Sequence, residues 1–217
     1  MHCSFINRRH FILSSITASA VGLLPKTNLA QTPAKRLLVV GDSLSAEYGI
    51  AKHSGWVALL QKRLDQIGKS WQVINASISG DTTSGGRSRL APLLSQHQPA
   101  LVVIELGGND ALRGLSLQAS EANLRAMVQL CKQAAAKVLV VGMEMPPNYG
   151  ARYMRDFKEL YLRVSKTEAV PLVPFLLKGI ADRPDAEDWF QGDRIHPLAK
   201  AHPQMLDNVW RILEPLI

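Results

Sequence analysis

The residues with the clearest chemical potential are a serine and a histidine far apart in the chain. Ser43 ends the motif Gly41-Asp42-Ser43 after a short apolar run, and His196 follows Asp193 by three residues in a polar segment. A serine hydroxyl becomes a nucleophile when a histidine takes its proton and a carboxylate orients that histidine. The three side chains therefore predict acyl transfer, with Ser43 as nucleophile, His196 as base and Asp193 as the orienting acid. Helix capping is the competing interpretation for Ser43 and for Asp193.

Two other loops contain groups that could stabilise an oxyanion. Gly80 can present its backbone N–H without a side chain in the way, and Asn109, directly after Gly107-Gly108, offers a neutral amide donor. Together with the N–H of Ser43 they would form an oxyanion hole. Taken singly, Gly80 could be a plain turn residue and Asn109 a helix cap. Four loops that each supply the right group are harder to explain by chance.

Short β-rich segments alternate with helical patterns along the chain. This order predicts an α/β fold, a three-layer α/β/α sandwich around a five-stranded parallel sheet. The carboxyl ends of parallel strands share one edge, so Ser43, Gly80 and Asn109 should lie close together. Two prolines make the last strand an edge strand. The predicted strands are 36–43, 71–75, 100–106, 137–142 and 170–175, and the predicted helices are 55–67, 84–97, 117–135, 151–168 and 198–213.

The surroundings of the histidines separate them. A helix starting near residue 198 would bring its positive end close to His196 and keep that imidazole neutral. His97 and His202 occur in helical contexts and are predicted to be surface residues. His53 follows the Ser43 loop, and a structural or solvated role is expected for it.

The first 30 residues are typical of a secretory signal peptide. Arg8 and Arg9 precede an apolar stretch, 11–24, that is too short to span a membrane, and cleavage is predicted after Ala30. The run 7–13 is similar to a twin-arginine signal, although Asn7 and Leu13 depart from it. Cleavage would remove three cations and no acid, which lowers the formal net charge from +7 to +4. The remaining domain, 31–217, is then expected to be periplasmic or secreted from a bacterium.

Cleavage would also leave Cys131 as the one cysteine of the mature chain, so no intramolecular disulfide is expected. The lysines and arginines are scattered rather than striped, which does not favour nucleic-acid binding. The loop 111–117 is apolar and could either line an acyl groove or lead into a helix.

The segments that contain Ser43, Gly80, Asn109 and the Asp193–His196 pair form four blocks. They resemble the four blocks of the SGNH/GDSL hydrolases, and the resemblance covers about residues 36–215. The resemblance implies a flavodoxin-like SGNH hydrolase fold, a catalytic Ser43, Asp193 and His196, and oxyanion donors from Ser43, Gly80 and Asn109. It is closest to the bacterial periplasmic thioesterase, arylesterase and lysophospholipase branch. Arg194 stands where this family usually has Gly, a departure that bears on loop conformation and substrate preference. The matching blocks are Gly41-Asp42-Ser43-Leu44-Ser45, Gly80, Gly107-Gly108-Asn109-Asp110 and Asp193 to His196.

The predicted function is therefore a secreted serine esterase that hydrolyses small esters or thioesters through an acyl-enzyme, without cofactor or metal. A monomer is expected, with transient contact with lipid surfaces. A carbohydrate O-acetylesterase with the same triad is the alternative. A nucleotide-binding module is disfavoured because the chain lacks both G-x-G-x-x-G after its first strand and G-x-x-x-x-G-K-[ST]. A non-catalytic binding protein would lack one of the blocks, and none is missing.

Overall fold

The computed structural model describes residues 34–217, so the predicted signal peptide at 1–30 and its cleavage site lie outside the described residues. In this part of the chain, no helix combines the length and the apolar character needed to cross a membrane. Residues 34–217 form eleven strands and α-helices: β1 Lys35–Gly41, α1 Trp56–Gln66, β2 Trp71–Asn75, α2 Thr83–His97, β3 Leu101–Glu105, α3 Gly108–Leu112, α4 Leu117–Gln133, β4 Lys137–Val141, α5 Ala151–Glu168, β5 Leu172–Val173 and α6 His202–Leu213.

The five strands form one parallel sheet in the order β2-β1-β3-β4-β5. β1 and β3 lie in its interior, and all five residues of β3 are buried. Such continuous apolar runs suit strands that are covered by helices on both faces. The predicted fold class is confirmed.

Helices cover both faces of the sheet. α1 packs against α6 on one face, whereas α4 lies between α2 and α5 on the other. α4 illustrates why: Leu124, Met127, Val128 and Cys131 recur at helical spacing and are all buried. The chain goes from β1 to β2 in one direction and then crosses to β3 on the other side of β1. The strand order therefore reverses between β1 and β3.

Besides shifts of one or two residues at other element ends, the structure differs from the prediction in three places. β5 has only two residues because Pro171 and Pro174 flank it and neither has an N–H for the ladder. The five-residue helix α3 directly after β3 is not in the prediction. α6 begins at His202 after a separate 3₁₀ turn, Ala199–Ala201, rather than at 198.

The prediction that His202 is a surface residue is wrong. His202 is 3% exposed, and its Nδ1 accepts a hydrogen bond from the backbone N–H of Trp56 at 3.0 Å. The first N–H groups of a helix have no partner within the helix, so this imidazole caps α1 from α6. Burial lowers the pKa of His202 to about 4, which keeps the ring neutral and able to accept.

Candidate active site

The predicted site residues gather at the carboxyl edge of the sheet, where the strand order reverses between β1 and β3. Ligands of open α/β sheets bind at such a point. Ser43 follows β1, and Asn109 lies in the first turn of α3 after β3. The loop after β2 is tied to the end of β1 because the N–H of Ile78 donates to the carbonyl of Gly41 at 3.0 Å.

Ser43, His196 and Asp193 form a continuous chain of hydrogen bonds. The Nε2 atom of His196 lies 2.8 Å from the Oγ of Ser43, and its Nδ1 lies 2.6 Å from Oδ2 of Asp193. Oδ1 of Asp193 accepts the backbone N–H groups of Ile195 and His196 at 2.9 and 3.0 Å. The carboxylate thus fixes Nδ1 as the protonated nitrogen, which leaves Nε2 free to accept the serine proton.

The electrostatics of Asp193 suit this arrangement. Partial burial by itself would raise its pKa, but the hydrogen bonds from the backbone and imidazole of His196 and from the N–H of Ile195 outweigh burial and lower the pKa to about 2. Asp193 is therefore anionic at neutral pH. On its other side, His196 packs against the ring of Tyr48, with ring centroids 4.3 Å apart.

The segment that contains Asp193 and His196, residues 190–197, is called the base loop below. An isolated antiparallel bridge pairs Phe190 with Pro197 at its base, and the N–H of Gln191 donates to the carbonyl of His196 at 2.7 Å. The helix expected to begin near residue 198 starts as the 3₁₀ turn Ala199–Ala201, and α6 itself begins at His202.

Arg194, at the tip of the base loop, has φ = +59°. This left-handed conformation is readily adopted by glycine and is costly for other residues. It explains why a glycine is usual at this position in the resembling family. The side chain is 75% exposed, and its guanidinium lies 3.4 Å from the carboxylate of Glu187.

Two of the three predicted oxyanion donors, Gly80 and Asn109, are each held by a side chain. Gly80 has φ = +80°, and its carbonyl accepts a hydrogen bond from Nη2 of Arg113 at 2.7 Å. Nδ2 of Asn109 donates to Oδ2 of Asp42 at 3.1 Å. One N–H of the Asn109 amide is thereby occupied, and the other remains available for a ligand.

Two buried carboxyl groups behind Ser43 are missing from the sequence-based site. Asp42 and Glu105 are 3% and 0% exposed. Burial raises the pKa of Asp42 to about 6, and burial together with the nearby Asp42 charge raises the pKa of Glu105. An acidic residue within the apolar run of β3 was the sequence signal for this cluster. Gly41 belongs to it, because a Cβ there would lie 2.8 Å from Oε2 of Glu105.

A cavity of about 640 Å³ lies beside the site. It is bounded by Gly108 on one side and by Arg194 and Ile195 of the base loop on the other. Leu112 is the member of the apolar loop 111–117 that reaches it, whereas Leu115 is 44% exposed. Most of the lining is apolar, with Leu112, Met143, Met145, Pro146, Met154, Phe175, Leu177, Ala181, Ala186, Phe190 and Ile195.

The chain matches the model of the GDSL-like Lipase/Acylhydrolase family over residues 39–203. It is 50% identical over 187 residues to esterase TesA of Pseudomonas aeruginosa, and the aligned region covers 86% of this chain and 92% of TesA. It is 43% identical over 184 residues to thioesterase 1/protease 1/lysophospholipase L1 of Escherichia coli K12, which covers 85% and 86% of the two chains. A crystal structure of TesA has a TM-score of 0.81 at 50% identity and covers 84% of this chain and 100% of its own.

The residues matched by the family model, 39–203, include all four sequence blocks. These matches confirm the family and the enzyme class that the motifs predict, and the fold agrees with that of TesA. The chain belongs to the GDSL-like lipase/acylhydrolase family and is an ester hydrolase.

Proposed function

We propose that this protein is an exported serine esterase that hydrolyses carboxylic esters or thioesters through an acyl-enzyme. The observation that carries the proposal is the hydrogen-bonded chain from Ser43 through His196 to Asp193, with separations of 2.8 and 2.6 Å. Both separations lie within the range that proton transfer requires.

In this mechanism Nε2 of His196 takes the proton from Ser43 as its Oγ attacks the acyl carbonyl. Asp193 stabilises the resulting imidazolium, and the N–H groups of Ser43 and Gly80 and the Asn109 amide bind the oxyanion. The imidazolium then protonates the departing alcohol or thiol. Water, deprotonated by His196, then attacks the acyl-enzyme; as the bond to Oγ of Ser43 breaks, His196 returns the proton to Oγ, which releases the carboxylic acid and regenerates Ser43.

The cavity beside the site supports an acyl chain as the group that is bound. Its apolar lining would remove the chain from water, at about 0.8 kcal/mol for each buried methylene. An acetyl group would leave most of the 640 Å³ unused. This argues for acyl esters rather than O-acetylated carbohydrates, and it fits the names esterase and thioesterase of the two relatives.

Activity against a series of p-nitrophenyl esters from acetyl to palmitoyl, extended to acyl-CoA and a lysophospholipid, tests the proposal. We expect kcat/KM to rise with chain length beyond acetyl, and Ser43→Ala to lose hydrolysis of every substrate. A sharp acetyl preference would favour the O-acetylesterase alternative. Wild-type rates in Ser43→Ala would reject the serine mechanism.

Export and the monomeric state are part of the same proposal. Expression of the full chain in a Gram-negative host should yield a periplasmic protein whose amino terminus is Gln31, as determined by intact mass. Size-exclusion chromatography with light scattering should give the mass of one chain. A cytoplasmic, unprocessed product or a stable dimer would contradict these two parts.

A further inference from the structure

The mechanism above makes no use of Asp42 and Glu105, although both carboxyl groups lie directly behind the nucleophile. Glu105 is fully buried at the end of β3, and its Oε2 accepts a hydrogen bond from Oγ of Ser45 at 2.7 Å. Oγ of Ser45 in turn accepts the indole N–H of Trp56 at 3.2 Å. Burying two neighbouring carboxyl groups is costly unless they are paired, and this suggests a role in the chemistry.

The hydrogen bonds of Asp42 identify its ionic state. Oδ1 accepts the backbone N–H of Leu44 at 3.0 Å, and Oδ2 accepts Nδ2 of Asn109 at 3.1 Å. A proton on either oxygen would point at one of these donors. The carboxylate, which is acceptor-only, satisfies both.

Glu105 then holds the proton of the pair. Its Oε2 faces two donors, the hydroxyl of Ser45 and the more distant N–H of Asp42 at 3.4 Å. Its Oε1 has no hydrogen-bond partner among the described residues. A proton can therefore sit on Oε1 without pointing at another hydrogen-bond donor. Two adjacent buried carboxylates would repel each other, and a neutral Glu105 removes this repulsion.

We infer that Asp42 is a positioning residue that fixes the Asn109 amide for the oxyanion, and that Glu105 supports it as a neutral acid. The inference rests on the proposed function, because it assigns Asn109 to the oxyanion hole. An amide is planar, so holding one N–H on Asp42 fixes the direction of the other. A preorganised donor of this kind does not have to reorient as the oxyanion forms.

The arrangement predicts that protonation of the Asp42 carboxyl group contributes to the fall of kcat on the acid side of the pH profile. Asp42 faces Glu105 on β3, His196 on the base loop and Asp81 after β2, and burial raises its pKa to about 6. As the pH falls through this value, Asp42 gains a proton and can no longer accept from both donors. Asn109 is then released, and kcat falls because the oxyanion loses a positioned donor.

The test is a double-mutant cycle between Asp42→Asn and Asn109→Ala, assayed with p-nitrophenyl acetate. Loss of an oxyanion donor costs about 10²–10³-fold in kcat, and we expect about 10²-fold for Asn109→Ala. Asp42→Asn can accept only one of the two hydrogen bonds and should cost about tenfold or more in kcat, with KM changed less than threefold. In the Asn109→Ala background it should cost less than threefold, because the group it positions is gone.

Two controls separate positioning from general damage. Glu168 is 7% exposed and bonds Arg125 at 2.9 Å, so Glu168→Gln should lower Tm without lowering kcat. Glu105→Gln keeps a neutral group of the same shape and should retain kcat within threefold, whereas Glu105→Ala should not. If Asp42→Asn does not fold, the wild-type and Asn109→Ala pH profiles still decide, since the component near pH 6 should be absent from Asn109→Ala.

The inference would be overturned if the fold-losses in kcat of Asp42→Asn and Asn109→Ala multiplied in the double mutant. A wild-type kcat in Asp42→Asn would also overturn it, and so would identical acid limbs of the pH–kcat profile in wild type and Asn109→Ala. None of these outcomes touches the serine mechanism. A failure of the proposed function looks different, since Ser43→Ala or Asn109→Ala would then hydrolyse the ester at the wild-type rate.

Discussion

The two halves of the candidate site are held in place in opposite ways. The nucleophile half follows β1 and β3 and is backed by Asp42 and Glu105, both almost fully buried. The base half is an exposed loop in which the side chains of Asp193 and Arg194 are 37% and 75% accessible. One half is part of the core, and the other is shaped by its own local hydrogen bonds. Substitutions that disturb the packing of the first half should therefore cost stability, whereas removal of a reactive side chain from the second half should cost activity with little loss of stability.

The largest expected effect comes from removing the base. His196→Ala should lower kcat by about 10⁴-fold or more, because Ser43 loses the group that takes its proton. Tm should stay within about 2 °C, since the loop backbone is held by the Phe190–Pro197 bridge rather than by the imidazole. Ester hydrolysis and thermal melting measure the two. The exposed His53 supplies the control, because His53→Ala should behave as wild type. Residual activity above a tenth in His196→Ala would contradict the assignment.

A methyl group added to each half should separate them by stability. In Gly41→Ala the new Cβ would lie 2.7 Å from Oγ of Ser45 and 2.8 Å from Glu105, an overpacking that should cost about 2 kcal/mol of unfolding free energy. Gly192→Ala in the base loop has no atom within 4 Å and should cost less than 0.5 kcal/mol. Urea unfolding gives both values. Equal costs would remove the distinction between the halves.

The core that surrounds the nucleophile half should also lose stability in acid through His202, a residue of α6 that caps α1. The unfolded chain takes up a proton near pH 6.5, whereas burial lowers the native pKa to about 4. The unfolded state therefore binds more protons between these values, and stability that is present above pH 6.5 is lost as the pH falls towards 4. We expect a loss of about 1–2 kcal/mol from this group between pH 7.5 and 5.

Urea unfolding of wild type and His202→Gln at these two pH values measures this contribution. The glutamine amide oxygen can still accept the Trp56 N–H but does not titrate, so the loss should shrink in the variant. His97→Gln at the end of α2 is the matched control, in which the loss between the two pH values should not shrink. A His202→Gln variant with an unchanged pH dependence would show that the loss has another origin.

The smallest effect is expected at Arg194. Its left-handed backbone costs about 1 kcal/mol, and Arg194→Gly should remove this strain while losing a similar amount to chain entropy and to the exposed Glu187 pair. We expect an unfolding free energy within about 0.5 kcal/mol of wild type and an unchanged kcat for p-nitrophenyl acetate. Arg194→Val, a β-branched residue at the same φ, should cost more than 1 kcal/mol. Chemical denaturation compares the pair, and equal stability of the two variants would mean that backbone strain is not the determinant.

The sequence predicts what depends on neighbouring residues and on strand ends. The continuous apolar run of β3 identifies an interior strand, and parallel strands bring the loops of Ser43, Gly80 and Asn109 to one edge. His202 was misplaced because its partner, Trp56, lies 146 residues away, and helical periodicity says nothing about such a contact. α3 was missed because five residues that begin at a glycine show no periodicity.

The buried carboxyl pair shows the same limit within one strand. Glu105 ends a run that is otherwise apolar, so the sequence indicates a buried acid. Its partners, Ser45 and Asp42, come from another strand end some 60 residues earlier, and only the register of β1 against β3 brings them together. The left-handed φ of Arg194 is hidden for a different reason, since an arginine does not signal that conformation.

The closed shape of the base loop allows it to be replaced by the corresponding loop of another family member. The two ends of the loop are paired by the bridge between Phe190 and Pro197. Just outside that bridge, the N–H of Leu198 donates to the carbonyl of Trp189 at 2.8 Å. The two ends thus emerge side by side, so a graft from another family member has to fit this narrow stem and keep the contacts that Gln191 and His196 make with Tyr48. Recombination within the family can therefore vary the wall that Arg194 and Ile195 contribute to the cavity while the core behind Ser43 is inherited unchanged.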